Sequence, residues 1–160
     1  SIWQAAAMPN FPSRHRMAER LIASLYTEAM ILADEVRTYF DETGRADRDA
    51  LGPMQRVAFS CESLKVTTRL MHVIAWLLTR RAVEAGELSE AQALEPARRL
   101  GHAADSDPAI VAALPETARI LVRASMDIYA RVERLDHEIE HPEAVPSPAR
   151  ALIDRLEAAF

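Results

Sequence analysis

Three long stretches of the chain repeat apolar residues at helical spacing, with polar residues between them. Ile22, Leu25, Ala29, Leu32, Val36 and Tyr39 recur every three or four residues. That predicts an amphipathic helix from Ser13, an N-cap after Pro12, to about Phe40. Asp41, Glu42 and Gly44 predict a turn. Gly52-Pro53 puts the start of a second helix near Pro53, and its pattern runs unbroken to Ala85, about 50 Å at 1.5 Å per residue. Gly86 follows in the position of a C′ glycine. Ser89 and Gln92 have capping-box spacing and open a shorter segment that Pro96 interrupts. Residues 101–109 hold Gly101, Asp105, Asp107 and Pro108 and predict a loop. Pro115 opens the last long helix, with a stripe of Ala118, Leu121, Ser125, Ile128, Val132, Leu135 and Ile139. Pro142, Pro146 and Pro148 mark a linker. Beyond it, with Ser147 as cap, Leu152, Ile153, Leu156 and Phe160 form a small amphipathic pattern.

The second helix is apolar on two sides. Met54, Val57, Cys61, Leu64, Thr68, Met71, Ala75, Leu78 and Ala82 follow a strict heptad, and this seam is expected to face the bundle core. Val66, Leu70, Val73 and Leu77 point almost the opposite way at 100° per residue. A helix greasy on two faces must be covered on two faces. The expected cover of the second stripe is the same stripe on another copy, because an isologous patch covers itself. The 89–100 segment and the C-terminal helix are the alternative covers. Arg69, Trp76 and Arg80 lie on a third side. With Tyr26 and Glu28 of the first helix they are the candidate partner-binding residues, since tryptophan beside arginine is favoured in interface hot spots. The structural alternative is a tryptophan at the bundle edge with arginine stems lying over it. Glu62 or Glu28 is available to pair with Arg69.

These elements predict an all-α fold: an elongated three-helix bundle with short connections, a short extra helix after the second and a C-terminal amphipathic segment. Residues 13–141 form the bundle domain, and 142–160 a Pro-rich linker and amphipathic segment. Composition agrees, since 160 residues, 49% hydrophobic but only 6% aromatic and with four glycines, suit a single Leu- and Ala-rich helical core. A formal charge of −5 gives no basic face for nucleic acid. Arg80 and Arg81 end the longest apolar run short of a membrane span, and residues 1–12 lack a signal-peptide core. The one cysteine, Cys61, excludes an intramolecular disulfide and is expected as a small buried seam residue. The expected compartment is the cytoplasm.

Candidate chemistry is sparse. His137-Glu138-Ile139-Glu140-His141 matches H-E-x-x-H, in which two histidines four apart bind zinc and the glutamate activates its water. Here Pro142 ends the helix where a zinc hydrolase needs it intact, and Ile139 completes the core heptad. Glu138 and His141 make one E-x-x-H, but a di-iron bundle needs two. Ser60, Ser63, Thr67 and Thr68 have no elbow or His–acid pair beside them. No phosphate-binding glycine loop is present. The residues thus predict no catalytic centre, metal or cofactor.

The runs ESLKVTTRLM from Glu62, AWLL from Ala75 and RAVEAGE from Arg81 resemble the signature of the alphaproteobacterial "regulator of CtrA degradation" (RcdA) family. Leu25-Tyr26-Thr27-Glu28-Ala29-Met30 resembles that family's first helix, and the similarity spans about residues 20–100. The resemblance implies a non-enzymatic adaptor in cell-cycle-regulated proteolysis. Such a protein helps present a response-regulator client, CtrA or a relative, to the ClpXP protease together with other adaptor factors. It also implies that residues 142–160 occupy the place of a functional tail. The rival readings are a dimeric helical scaffold for a different signalling or transcription partner and, more remotely, a zinc hydrolase through the HEIEH segment.

Overall fold

A computed structural model of the chain describes residues 14–142 and 148–159. The three apolar patterns form three long helices: α1 (Arg14–Thr38), α3 (Pro53–Glu84) and α6 (Glu116–Glu140). Shorter helices are α2 (Arg45–Asp49), α4 (Glu90–Ala93), α5 (Pro108–Ala112) and α7 (Pro148–Ala159). No strand occurs among the described residues. The chain is all-α, as expected. Ser13 and Ser147, the expected caps of the first helix and the C-terminal segment, lie outside the described residues.

The stripes of α1 and α6 face the core. Ile22, Leu25, Ala29, Leu32, Val36 and Tyr39 are buried, as are Ala118, Leu121, Ser125, Ile128 and Val132. Leu135 and Ile139 pack against the edge of this core. After Thr38 the chain takes a π-helical turn, Tyr39–Thr43. Tyr39 and Phe40 there stack edge-on at 5.0 Å, and Phe40 meets Phe59 of α3 at 5.2 Å. The Tyr39 hydroxyl donates to Asp47 at 2.7 Å, and burial pushes its pKa up. A side chain at residue 44 would sit 2.6 Å from the Tyr39 carbonyl oxygen, so the turn needs Gly44.

Helix α3 ends as its sequence predicts. Gly86 has φ 75°. The Glu87 N–H reaches the Ala82 carbonyl at 2.9 Å, and the Gly86 N–H reaches that of Val83 at 3.0 Å. This is the Schellman pair of bonds, which closes the orphan carbonyls of the last turn. The Ser89–Gln92 capping box then starts α4.

Between α4 and α6 the expectation of short connections fails. Arg69 reaches Ser125, and Trp76 reaches Asp136, so α3 and α6 run in the same direction. The start of α1 lies beside the ends of both in one cavity (Ile22, Trp76, Ile139), so α1 runs against them. Two parallel helices cannot be joined by a tight turn, and the chain must return along the whole bundle. It does so in the strap 94–107, which descends between α3 and α6. Asp107 and Pro108, which read as loop breakers, open α5 instead: the Asp107 carboxylate accepts from the Ala109 N–H at 2.9 Å, and proline takes the first helical position.

The largest correction concerns the two faces of α3. Val66, Leu70, Val73 and Leu77, expected as a self-association surface, are between 0% and 3% exposed in the chain's own core. Phe59 and Trp76 extend that inward face. The strict heptad expected to be inside is outside: Met54 is 79% exposed, Leu64 68% and Met71 64%, and Val57, Cys61, Ala75 and Leu78 are exposed too. The physical reason is width. Packing against α1, α6 and the strap together demands a broad apolar arc, which the Phe59–Leu77 face supplies and a narrow heptad seam does not. Leu77→Ala is therefore expected to lower the unfolding free energy by about 2–5 kcal/mol. Leu64→Ala should stay within about 0.5 kcal/mol. Urea unfolding at protein concentrations low enough to exclude association measures both, and a larger loss for Leu64→Ala would reverse the assignment of faces.

Candidate functional site

Glu62, Arg69 and Trp76 recur every seven residues on the side of α3 that faces the strap, and all three are buried. Glu62 and Arg69 bond the return path directly, and Trp76 bonds the Asp136 that holds it. The Arg69 guanidinium, 3% exposed, donates to the Ala104 carbonyl at 3.0 Å, to Ser106 Oγ at 2.6 Å and to Ser125 Oγ at 3.3 Å. Ser106 passes a hydrogen bond on to Glu62 Oε2 at 2.5 Å. Lys65 Nζ joins the other Glu62 oxygen at 3.2 Å to the Asp105 carbonyl at 3.0 Å. Burial lowers the Arg69 pKa, and the Glu62 charge opposes that shift. A guanidinium nevertheless stays protonated, so the clamp is ionic at any physiological pH.

Further along the strap, Gly101 passes against His72, and its carbonyl accepts from the Tyr129 hydroxyl at 2.8 Å. Arg99 makes two 2.9 Å bonds to the Asp136 carboxylate and one of 2.8 Å to Glu140. Trp76 Nε1 donates to the same Asp136 at 2.9 Å. These bonds raise the Arg99 pKa and hold Glu140 below the usual carboxylate range. Glu140 thus adds stability above the ordinary carboxylate pKa, and that contribution disappears as pH falls through its depressed value. Ser106 and Ser125 are thus enclosed by the Glu62 carboxylate, the Arg69 guanidinium and a backbone carbonyl, an arrangement that suits a clamp.

The five candidate partner-binding residues do not form one patch. Arg69 and Trp76 are interior. Arg80 is tied to Glu90 by two bonds of 3.0 and 2.9 Å, which fasten α4 to α3. Tyr26 lies beneath the Arg81 guanidinium at 4.8 Å, and Glu28 pairs with Arg131 of α6. Of the two acids available to Arg69, the structure places Glu62 beside it, through Ser106.

At the end of α6, ligand atoms of His137, Glu140 and His141 lie within 4.8 Å of one another. All three are exposed, and Arg99 already holds Glu140. Glu138, the motif's expected base, instead lines the cavity beside Ile22 and Trp76. His141 has left helical geometry, at φ −126° and ψ 65°. The motif's spacing survives, but its catalytic arrangement does not.

Among the apolar residues left open on the described surface, which include Leu21 and Ile31 of α1 and Ile120 of α6, is the outward seam of α3. Met54, Val57, Leu64, Met71 and Leu78 form a continuous exposed apolar row, interleaved with Cys61, Thr68, Ala75 and Ala82. Helix α7 also exposes Leu152, Ile153 and Leu156. No described helix is long and apolar enough to cross a membrane. Soluble proteins rarely leave such an apolar row open, and its exposure marks it as the candidate interaction surface. The missed signal was the polar row itself: Glu62 and Arg69 flank the inward arc, and their charges needed a partner that only the strap supplies.

Arg69→Met is expected to cost about 3 kcal/mol, because Ala104, Ser106 and Ser125 lose their buried donor and Glu62 keeps only Lys65 as a cation beside it. Adding Glu62→Gln should recover part of that loss, and urea unfolding of the single and double variants measures the coupling. Amide exchange across 99–107 should quicken first. Uniform quickening over the whole bundle would show that Arg69 is not a clamp on the strap.

A family described as "Protein of unknown function (DUF1465)" matches residues 13–160 of the chain. Among solved structures, that of RcdA from Caulobacter crescentus CB15 is similar, with 33% sequence identity and a TM-score of 0.59 over 74% of this chain and 90% of that one. No curated protein gives a significant match. The fold and the sequence agree with the resemblance seen in the Glu62–Glu87 stretch, and the chain belongs to the DUF1465 family, the family of the regulator of CtrA degradation, RcdA.

Proposed function

We propose that this chain is a non-enzymatic, homodimeric adaptor of regulated proteolysis in the cytoplasm. It helps deliver a CtrA-like response regulator, or a related client, to the ClpXP protease together with other adaptor factors. Nucleic acid has no part in this reading. The observation that supports it most is the contrast between interior and surface. Inside, Glu62, Arg69, Trp76, Arg99 and Asp136 are consumed in holding the strap. Outside, the bundle offers apolar rows on α3 and α7 with no catalytic group beside them. Such a protein acts by tethering. Holding client and protease machinery together raises their effective concentration and needs no chemistry on the client. Helix α7, joined to the bundle through residues 143–147, supplies a second apolar element suited to one of the two contacts.

Reconstituted degradation tests the role. With ClpXP and its other adaptor factors present, adding the full chain should raise the rate of response-regulator degradation, and a chain ending at Pro142 should raise it less. An unchanged rate with the full chain would overturn the proposal. The hydrolase reading has its own check, because His137, Glu140 and His141 do lie close together. Protein purified without added metal is expected to carry less than stoichiometric zinc. Stoichiometric zinc with chelator-sensitive peptide hydrolysis would contradict the non-enzymatic assignment.

A further inference from the structure

The last turn of α6 gathers two imidazoles and a carboxylate at the end of the helix. His137 and His141 are four residues apart, and the His141 N–H still bonds the His137 carbonyl at 2.9 Å. The turn is therefore closed, and its two rings lie on the same side with centroids 4.8 Å apart. Ligand atoms of His137, Glu140 and His141 all lie within 4.8 Å of one another. Tetrahedral bonds of about 2.1 Å set ligand atoms about 3.4 Å apart. Glu140 Oε2 and His141 Nε2 already stand at 3.6 Å. His137 is exposed, so a small rotation of its side chain closes the remaining distance.

The carboxylate among these groups is held in place. Arg99 Nη2 donates to Glu140 Oε2 at 2.8 Å. Arg99 is in turn fixed by two 2.9 Å bonds to Asp136, which also accepts from Trp76. A carboxylate oxygen has two lone pairs, so the Arg99 bond leaves room for a second partner on Oε2. Ligating carboxylates are commonly oriented by such outer hydrogen bonds, and the partners are part of the site. Here they distinguish the cluster from two histidines that merely meet on a helix.

We propose that His137, Glu140 and His141 form a labile site for a divalent transition ion of the zinc type, with water completing its coordination. Two imidazoles and one carboxylate suit zinc, cobalt, nickel or copper, whereas magnesium and calcium want oxygen ligands throughout. Three exposed protein ligands hold an ion more weakly than an enclosed set of four, so the ion is lost when protein is purified without it. Glu138 lines the cavity beside Ile22 and Trp76, so the site binds without the arrangement of a hydrolase and leaves the adaptor reading intact. An ion here staples the last turn of α6 where the chain leaves for α7. Through Glu140 it also joins that turn to the strap's anchor at Arg99.

Zinc titration of the full chain by calorimetry, with cobalt titration followed by visible absorption, tests the site. One ion per chain should bind with a dissociation constant in the micromolar range, and cobalt should give the visible bands of nitrogen and oxygen coordination. His137→Ala or His141→Ala should weaken binding at least tenfold, and the two together should remove it. Both positions are exposed, so helicity should be unchanged. Glu140→Gln should weaken binding severalfold, whereas His15→Ala and His102→Ala should not alter it. Amide exchange across 137–141 should slow with zinc and not with millimolar magnesium. No saturable binding up to millimolar zinc would overturn the proposal. Binding that survives the double histidine variant would overturn it too, because other residues would then hold the ion. Unchanged affinity in Glu140→Gln would overturn the three-ligand site and leave only a histidine pair.

Discussion

Helix α3 must satisfy three neighbours at once, and the rest of the bundle is arranged around that demand. Its inward arc, from Phe59 to Leu77, packs on α1 and α6, and its polar row of Glu62 and Arg69 holds the strap. Because α3 and α6 run in the same direction, the strap is required, and because the strap is extended, its backbone needs partners. Arg69 supplies one at Ala104, Lys65 one at Asp105 and Tyr129 one at Gly101. A buried arginine would be a liability in an ordinary core. Here it replaces hydrogen bonds that an extended segment could not make to itself.

That arrangement has a consequence for the opposite side of α3. A helix covered on one broad arc presents the remainder of its circumference to solvent, and on α3 the remainder is a heptad of apolar residues. The bundle thus carries an apolar heptad seam that is largely exposed among the described residues. The adaptor reading and the self-association reading both draw on this surface.

Much of this was legible in the sequence wherever a single local signal decided the outcome. Pro53, Gly86 and the Ser89–Gln92 box fix their helix ends by backbone chemistry, and the structure has each in its expected place. The stripes of α1 and α6 face inward as expected, although α1 also exposes Met17, Leu21, Met30 and Ile31. On α3 two faces compete, and choosing the regular heptad over the broader arc put the core outside. The width of the arc and the presence of Trp76 and Phe59 in it were the available clues. The strap was not legible, because its contacts join residues 28 to 44 positions apart (Gly101 with Tyr129, Glu62 with Ser106), with no local pattern announcing them. For the same reason Arg69 and Trp76 read as surface candidates, when their work is internal.

The native thiol of Cys61 tests the assignment of the two faces most directly. It lies on the outward seam and is exposed, whereas a seam packed in the core would bury it. Its rate of labelling by a fluorescent maleimide at nanomolar protein should be that of a free thiol. A thiol unreactive at every concentration would put the heptad inside the bundle after all.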